Sequence, residues 1–275
     1  MFKTKHTVQN LYFSKLISKY YNKKIFLKLE YQNLTGSHKD RECVKLIDLA
    51  LKKNYKKIGC ASTGNLAISL AFHSKLNNLK CYIWLNKKSY LTGLLRELGA
   101  EVVIKKTTLK DLYLKSDKYF KKNQILSVNP GSHEHKLDAN KKITNEILSE
   151  KIDVQCVVSS VNNGSHILGL SKNSKKLNFY GVYTKSKLAK SINSFSLTEI
   201  NKRNKHEPVN LISANDKDII KGFKLLANEG LFLDGSSSAI IGSLNKIKYK
   251  NICCVLSGSA LNNLAEVQKI ILKFK

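Results

Sequence analysis

Lys39 stands at the mouth of a helix and is the first residue in this chain that invites chemistry. It follows Thr35-Gly36-Ser37-His38 and precedes Asp40-Arg41. Behind it Cys43, Val44, Ile47, Ala50 and Leu51 fall on one helical face. An amine in a first helical turn meets the end of the helix dipole that disfavours a cation, which favours its neutral, nucleophilic form. In a chain with 48 lysines and arginines, the plain alternative is a solvated surface lysine. Three other stretches have the composition of anion cradles. Ser62-Thr63-Gly64-Asn65 opens an apolar helix, where hydroxyls could cap free N–H groups, or those groups could hold a carboxylate or phosphate. Asn162-Asn163-Gly164-Ser165-His166 follows an apolar run and offers backbone N–H groups, without the spacing of a Walker loop or of GxGxxG. Ser257-Gly258-Ser259-Ala260 ends a third apolar run, and its hydroxyl is either a cap or a ligand contact.

These stretches need elements that bring them to one place. Short apolar runs predict strands at 25–29, 58–61, 81–85, 102–104, 125–128, 154–161, 179–183, 231–233 and 252–256. Helical patterns are predicted at 39–53, 66–76, 91–98, 109–121, 137–148, 216–228 and 237–247. Strands and helices that alternate this regularly, with continuously apolar strands, predict an α/β protein with parallel sheets covered on both faces. Ligands of such sheets bind at the carboxyl ends of the strands, where the loops above lie.

The composition narrows the function classes. The 275 residues suffice for one large domain or two small ones. No apolar run reaches the roughly 20 residues of a membrane span, and the opening Met1–Phe13 lacks the apolar core and cleavage site of a secretory signal. The six cysteines show no CxxC spacing and read as buried, reduced thiols of a cytoplasmic protein. The net charge of +28 raises the question of nucleic acid. Only Arg41, Arg96 and Arg203 are arginines, and the lysines are spread along the chain without interleaved aromatics. We therefore expect no nucleic-acid partner and a surface that attracts small anions. His133 and His135 lack further ligands and read as a solvated loop, so no metal is expected.

Taken together, the loops carry a resemblance. Asn33-Leu34-Thr35-Gly36-Ser37-His38-Lys39-Asp40-Arg41 resembles the Asn-Pro-Thr-Gly-Ser-Phe-Lys-Asp-Arg element of the fold-type II pyridoxal-phosphate enzymes, above all the threonine synthases. Ala61-Ser62-Thr63-Gly64-Asn65 matches their Ala-Ser-Thr-Gly-Asn. Val161 to Ile167 is similar to Val-Gly-Asn-Gly-Gly-Asn-Ile, Glu229 to Ser237 to Glu-Gly-Ile-Phe-Val-Glu-Pro-Ser-Ser, and Leu256-Ser257-Gly258 to Leu-Thr-Gly. The five motifs keep the family's order across roughly residues 26–260.

The resemblance implies a tryptophan synthase β-like fold: two open parallel-sheet α/β domains with the cofactor in the cleft between them. A smaller, mobile domain at 30–140 would carry the carboxylate-binding loop. A larger one, 1–29 plus 141–275, would carry the cofactor phosphate cup. It implies pyridoxal 5'-phosphate bound covalently to Lys39, and Asn65 on the cofactor's 3'-oxygen. Asn162, Asn163, Gly164, Ser165 and His166 would surround the phosphate, and Ser257 would face the pyridine nitrogen. Ser62, Thr63, Gly64 and Asn65 would bind the substrate's α-carboxylate. Lys39, once released, would be the base that removes the α-proton.

Two departures bear on substrate. His38 replaces the usual Phe and resembles the tryptophan synthase β chain, where such a His lies near the cofactor phosphate. The threonine synthases' Asn-Pro-Arg-Leu-Glu-Gly becomes Asn129-Pro130, an insertion Gly131–His135, then Lys136, the nearest equivalent of the arginine that binds the substrate's own phosphate. The implied activity is elimination or replacement at the β or γ carbon of an amino acid, with threonine-synthase-like chemistry first. Alternatives are a serine/threonine dehydratase, a β-replacement synthase of the cysteine- or cysteate-synthase kind, and a non-catalytic family member. The expected partner is a small amino-acid substrate, with a leaning toward a homodimer.

Overall fold

The computed structural model describes residues 11–88, 90–129, 134–172, 174–192 and 209–274. The chain's opening, Pro130 and residues 131–133 of the insertion, with His133, lie outside them, whereas Glu134 and His135, expected in a loop, begin a helix. The chain divides into two compact units.

The first unit, Lys39–Lys136, begins with α2 (Lys39–Lys52). It continues through β3 (Lys57–Ala61), α3 (Asn65–Leu76), β4 (Lys80–Leu85), α4 (Leu91–Glu97), β5 (Ala100–Ile104), α5 (Leu109–Lys122) and β6 (Leu126–Ser127). Its sheet has the order β5-β4-β3-β6 and is parallel throughout. Ile58, Cys60, Ile83 and Leu85 of the sheet are buried in one cluster with apolar residues of α2, α3 and α4. Phe120 and Leu112 of α5 pack with Trp84 and Ala61 in a smaller cluster. Each such aliphatic side chain contributes about 1.5–3 kcal/mol on burial.

The second unit holds the chain on either side. Before Lys39 come β1 (Tyr12–Phe13), α1 (Lys15–Tyr21) and β2 (Lys24–Lys28). After Lys136 come most of α6 (Glu134–Ser149), then β7 (Cys156–Ser160), α7 (Ser165–Ser171), β8 (Asn178–Thr184), β9 (Val209–Ala214), α8 (Asp216–Asn228), α9 (Gly235–Gly242), β10 (Asn251–Val255) and α10 (Leu264–Ile271). Its sheet runs β1-β2-β10-β7-β8-β9. All neighbours are parallel except the antiparallel edge strand β1. β10 lies between β2 and β7, with Ile252 opposite both Ile25 and Cys156. The loops that leave β7 and β10 therefore emerge side by side.

The α/β class and parallel sheets match the sequence reading, with local differences. The units part at His38/Lys39 and Lys136/Leu137, against expected boundaries at 30 and 140. The first shift has a visible cause: residues 36–38 hydrogen-bond to residues 257–259 of the second unit. No strand forms at 231–233. Leu233 makes only an isolated bridge to Ser259, and Phe232 is exposed, so the apolar triplet has no continuous partner edge. The helix expected at 237–247 is α9 followed by a 3-10 turn at Leu244–Lys246.

Candidate active site

In the first unit, Lys39 is the first residue of α2. Its Nζ lies 2.8 Å from Oε1 of Glu42, one turn on, in an ion pair where the lysine side chain is 19% exposed and the glutamate fully buried. Asp40 and Glu42 both occupy the first turn, so the cation is accompanied by two carboxylates at the end of the helix that favours anions. Asp40 is buried and ties α2 to α3: its Oδ1 accepts the Ser69 hydroxyl at 2.6 Å and lies 3.1 Å from His73 Nε2. The start of the Lys39 helix is thus clamped to the helix that opens at Asn65.

That second opening differs from the capped turn that its hydroxyls suggest. The N-cap of α3 is Gly64, which provides no side-chain cap, and Thr63 is exposed. A Cβ placed on Gly64 would meet no atom within 4 Å. The helix therefore opens onto space, with its N–H groups available to an anion. The loop is held from behind. Asn129, at the end of β6, accepts the Ala61 N–H through Oδ1 at 2.6 Å and donates through Nδ2 to Ser116 and Asp117.

Lys136 is buried at the start of α6. It is 1% exposed, and its Nζ donates to the carbonyls of Val128 and Asn129 at 3.0 and 2.8 Å. Burial pushes its pKa below the ordinary lysine value, Glu42 acts in the opposite sense, and Lys39 lowers it again. The expected substrate contact would require the ammonium to leave these two carbonyls.

In the second unit, the residues leading to Lys39 run against the end of β10. Ser259 N–H donates to the Gly36 carbonyl at 3.1 Å, His38 N–H to the Ser257 carbonyl at 3.3 Å, and Ser37 bridges Gly258. Gly36 makes this turn at φ +82°, a conformation that costs side-chain-bearing residues energy. Ser257 is buried, with its Oγ a long 3.4 Å from Ser160 Oγ at the end of β7. The loop after β7 turns at Gly164, φ +86°, and enters α7. Asn163 Oδ1 accepts from both the N–H and the hydroxyl of Ser165. His166 lies on α7 with its Nδ1 2.7 Å from Asn140 Oδ1, which places the proton on Nδ1. Its ring stacks on His38, centroids 4.0 Å apart at 33°. His38, Asn163, Ser165, His166 and Ser257 thus gather around the carboxyl ends of β7 and β10.

Sequence reasoning missed Glu42, Asn140 and the clamping roles of Asp40 and Asn129. Glu42 could have been found from its spacing, three residues after Lys39, which puts both on one helical face.

Comparison with known proteins bears on this arrangement. The chain is 26% identical over 290 residues to a threonine synthase of Methanocaldococcus jannaschii, covering 88% of this chain and 71% of that one. It is 27% identical over 171 residues to an L-threonine ammonia-lyase of Thermotoga maritima, covering 61% of this chain and 43% of that one. The fold superimposes on a fungal L-serine ammonia-lyase from Rhizomucor miehei with a TM-score of 0.82 at 14% identity, covering 98% and 99% of the two chains. A family model described as pyridoxal-phosphate dependent enzyme matches residues 5–258. The chain belongs to that family, and its cofactor is pyridoxal phosphate.

Proposed function

We propose that this protein is a lyase or synthase that eliminates or replaces a group at the β or γ carbon of an amino acid, with threonine-synthase-like chemistry. The observation that carries this reading is the Asp40–Ser69 clamp, which holds the start of α2, with its amine, to the open start of α3. An amine beside a carboxylate cradle is what covalent handling of an amino acid requires.

The residues present fit the cofactor. Lys39 offers a partly exposed amine, Gly64 leaves the α3 opening unfilled, and the long Ser160 contact leaves the Ser257 hydroxyl capacity for a ring nitrogen. When bound, pyridoxal phosphate supplies the electron sink that stabilises negative charge at the substrate's α-carbon. Lys39 would hold it covalently. Lys39, when its amine is free, would be the base that takes the substrate's α-proton and the acid that later returns one. Ser62, Thr63 and Gly64 hold the substrate carboxylate, and Asn65 keeps the cofactor ring oriented. The turn Asn162–His166, with His38, receives the cofactor phosphate. Ser257 would face the ring nitrogen with a neutral hydroxyl, a partner that suits elimination and replacement chemistry. In this reading the first unit carries the carboxylate loop and the second the phosphate cup.

The burial of Lys136 favours a second reading within the class. With no arginine at this position and the lysine turned inward, a substrate phosphate has lost its expected partner, which supports a serine/threonine dehydratase. The Thermotoga maritima relative, an L-threonine ammonia-lyase, points the same way. Feeding separates the two. Phosphate release from O-phosphohomoserine supports the first reading, and oxo-acid from serine or threonine supports the second. No turnover of any of these substrates by cofactor-loaded protein would contradict both and favour a non-catalytic binder. We further propose a homodimer in a reducing cytoplasm, the latter supported by six buried free cysteines.

A further inference from the structure

We propose that Asn140 is a positioning residue for the cofactor phosphate: its Oδ1 holds the His166 ring in one rotation and on the Nδ1–H tautomer, at the turn that receives the phosphate. This deepens the proposed function and rests on its assignment of that turn.

The contact joins two helices of the second unit. Asn140 lies on α6 and is fully buried, and His166 lies in the first turn of α7 and is 7% exposed. Oδ1 and Nδ1 are 2.7 Å apart. So short a side chain reaches the ring only if the helices pack closely. Gly169, almost one turn after His166, allows this. A Cβ added there would lie 2.6 Å from Asn140 Cβ and 2.8 Å from the Leu137 carbonyl oxygen. One turn further along α6, Thr144 Oγ1 donates to the Leu170 carbonyl at 2.7 Å, a second bond between the same helices. Helix packing therefore sets where the Asn140 acceptor stands.

An imidazole that is to meet an anion needs a fixed plane, a fixed rotation about its Cβ–Cγ bond and a fixed proton position. The His38 ring, 4.0 Å away at 33°, restrains the plane. Asn140 restrains the rotation, and an acceptor opposite Nδ1 selects the tautomer. The ring then keeps one geometry whether neutral or protonated, because Nδ1 carries a proton in both states. Asn140 acts through His166.

The test uses cofactor-free protein and pyridoxine 5'-phosphate, which carries the phosphate but no aldehyde and so cannot bond covalently to Lys39. Nitrogen NMR at about pH 8, where an ordinary imidazole is neutral, reads the His166 tautomer, with the signal assigned by its loss in His166→Asn. Calorimetry reads the affinity of the probe. The parent should show the proton on Nδ1. Asn140→Leu keeps the volume but removes the acceptor. It should release the tautomer, so that an Nε2–H signal appears, and weaken the probe about tenfold, as expected for one lost hydrogen bond. Asn140→Asp keeps an acceptor and should keep the Nδ1–H tautomer. Thr144→Val removes the neighbouring interhelix bond and should leave tautomer and affinity unchanged. A parent ring protonated on Nε2, an Asn140→Leu that binds the probe as the parent does, or a Thr144→Val that weakens it equally overturns the proposal. If the Leu variant does not fold, Asn140→Ala serves with the same expectations. A parent that does not bind the probe overturns the assignment of the turn itself, which distinguishes that failure from failure of the positioning role.

Discussion

His38 and His166 stack ring on ring, 4.0 Å between centroids, although 128 positions separate them in the chain. The first ring precedes Lys39 and the second lies in the first turn of α7, so the stack joins the approach to Lys39 to the turn proposed to receive the cofactor phosphate. Both rings are buried. His38→Phe keeps the ring and its packing, whereas His38→Ala removes both. Denaturant titration should find the Phe variant within about 1 kcal/mol of the parent and the Ala variant about 2–3 kcal/mol less stable. Equal losses would show that the stack contributes nothing.

The Asp40 clamp should be worth more than an ordinary surface bond. Removing this buried acceptor with Asp40→Ala strands Ser69 Oγ and His73 Nε2 and should cost about 2–4 kcal/mol. Ser69→Ala should cost about 1 kcal/mol. The double variant should be less damaged than the sum, since both changes break one bond. Strict additivity in the double-mutant cycle would contradict the clamp.

Gly64 separates stability from binding. Its φ of −140° suits any residue, and an added methyl meets no neighbour. Gly64→Ala should therefore melt like the parent. The same methyl enters the proposed carboxylate cradle and should raise KM at least roughly tenfold, equivalent to about 1.4 kcal/mol of lost binding. Unchanged KM in steady-state assays would move the substrate carboxylate elsewhere.

Glu266 should make stability depend on pH. It is buried on α10, with Oε1 accepting from the Lys190 N–H at 3.0 Å and Oε2 without a hydrogen-bond partner among the described residues. Burial, then the nearby Asp234 carboxylate, push it from 4.5 up to about 7. The folded state therefore favours the proton. Its contribution is complete below pH 4.5 and is lost as pH rises through about 7. Glu266→Gln mimics the protonated form. It should stabilise the protein at pH 8 by up to about 3 kcal/mol and have little effect near pH 4.5. Thermal melts at the two pH values check this, and a gain of equal size at both contradicts it.

Much of this architecture was legible because parallel strands buried on both faces leave continuous apolar runs, as in β7 and β10, where nearly every residue is buried. Other parts left no such trace. β1 has two residues, both exposed, and writes no pattern. β9 alternates buried with exposed residues rather than running apolar. The loops were legible from Gly, Ser, Thr and Asn at strand ends. What composition could not supply was direction: that Lys136 turns inward onto two carbonyls, or that Gly64 rather than a hydroxyl caps α3, depends on atoms from distant segments.

Every proposed step depends on Lys39. The most direct measurement is to load the protein with pyridoxal phosphate, reduce with borohydride, digest, and locate the added cofactor mass by peptide sequencing in the mass spectrometer. The account predicts the mass on Lys39, with the visible absorption of the bound cofactor lost in a folded Lys39→Ala variant. Cofactor mass on another lysine, or visible absorption that survives in Lys39→Ala, would contradict it.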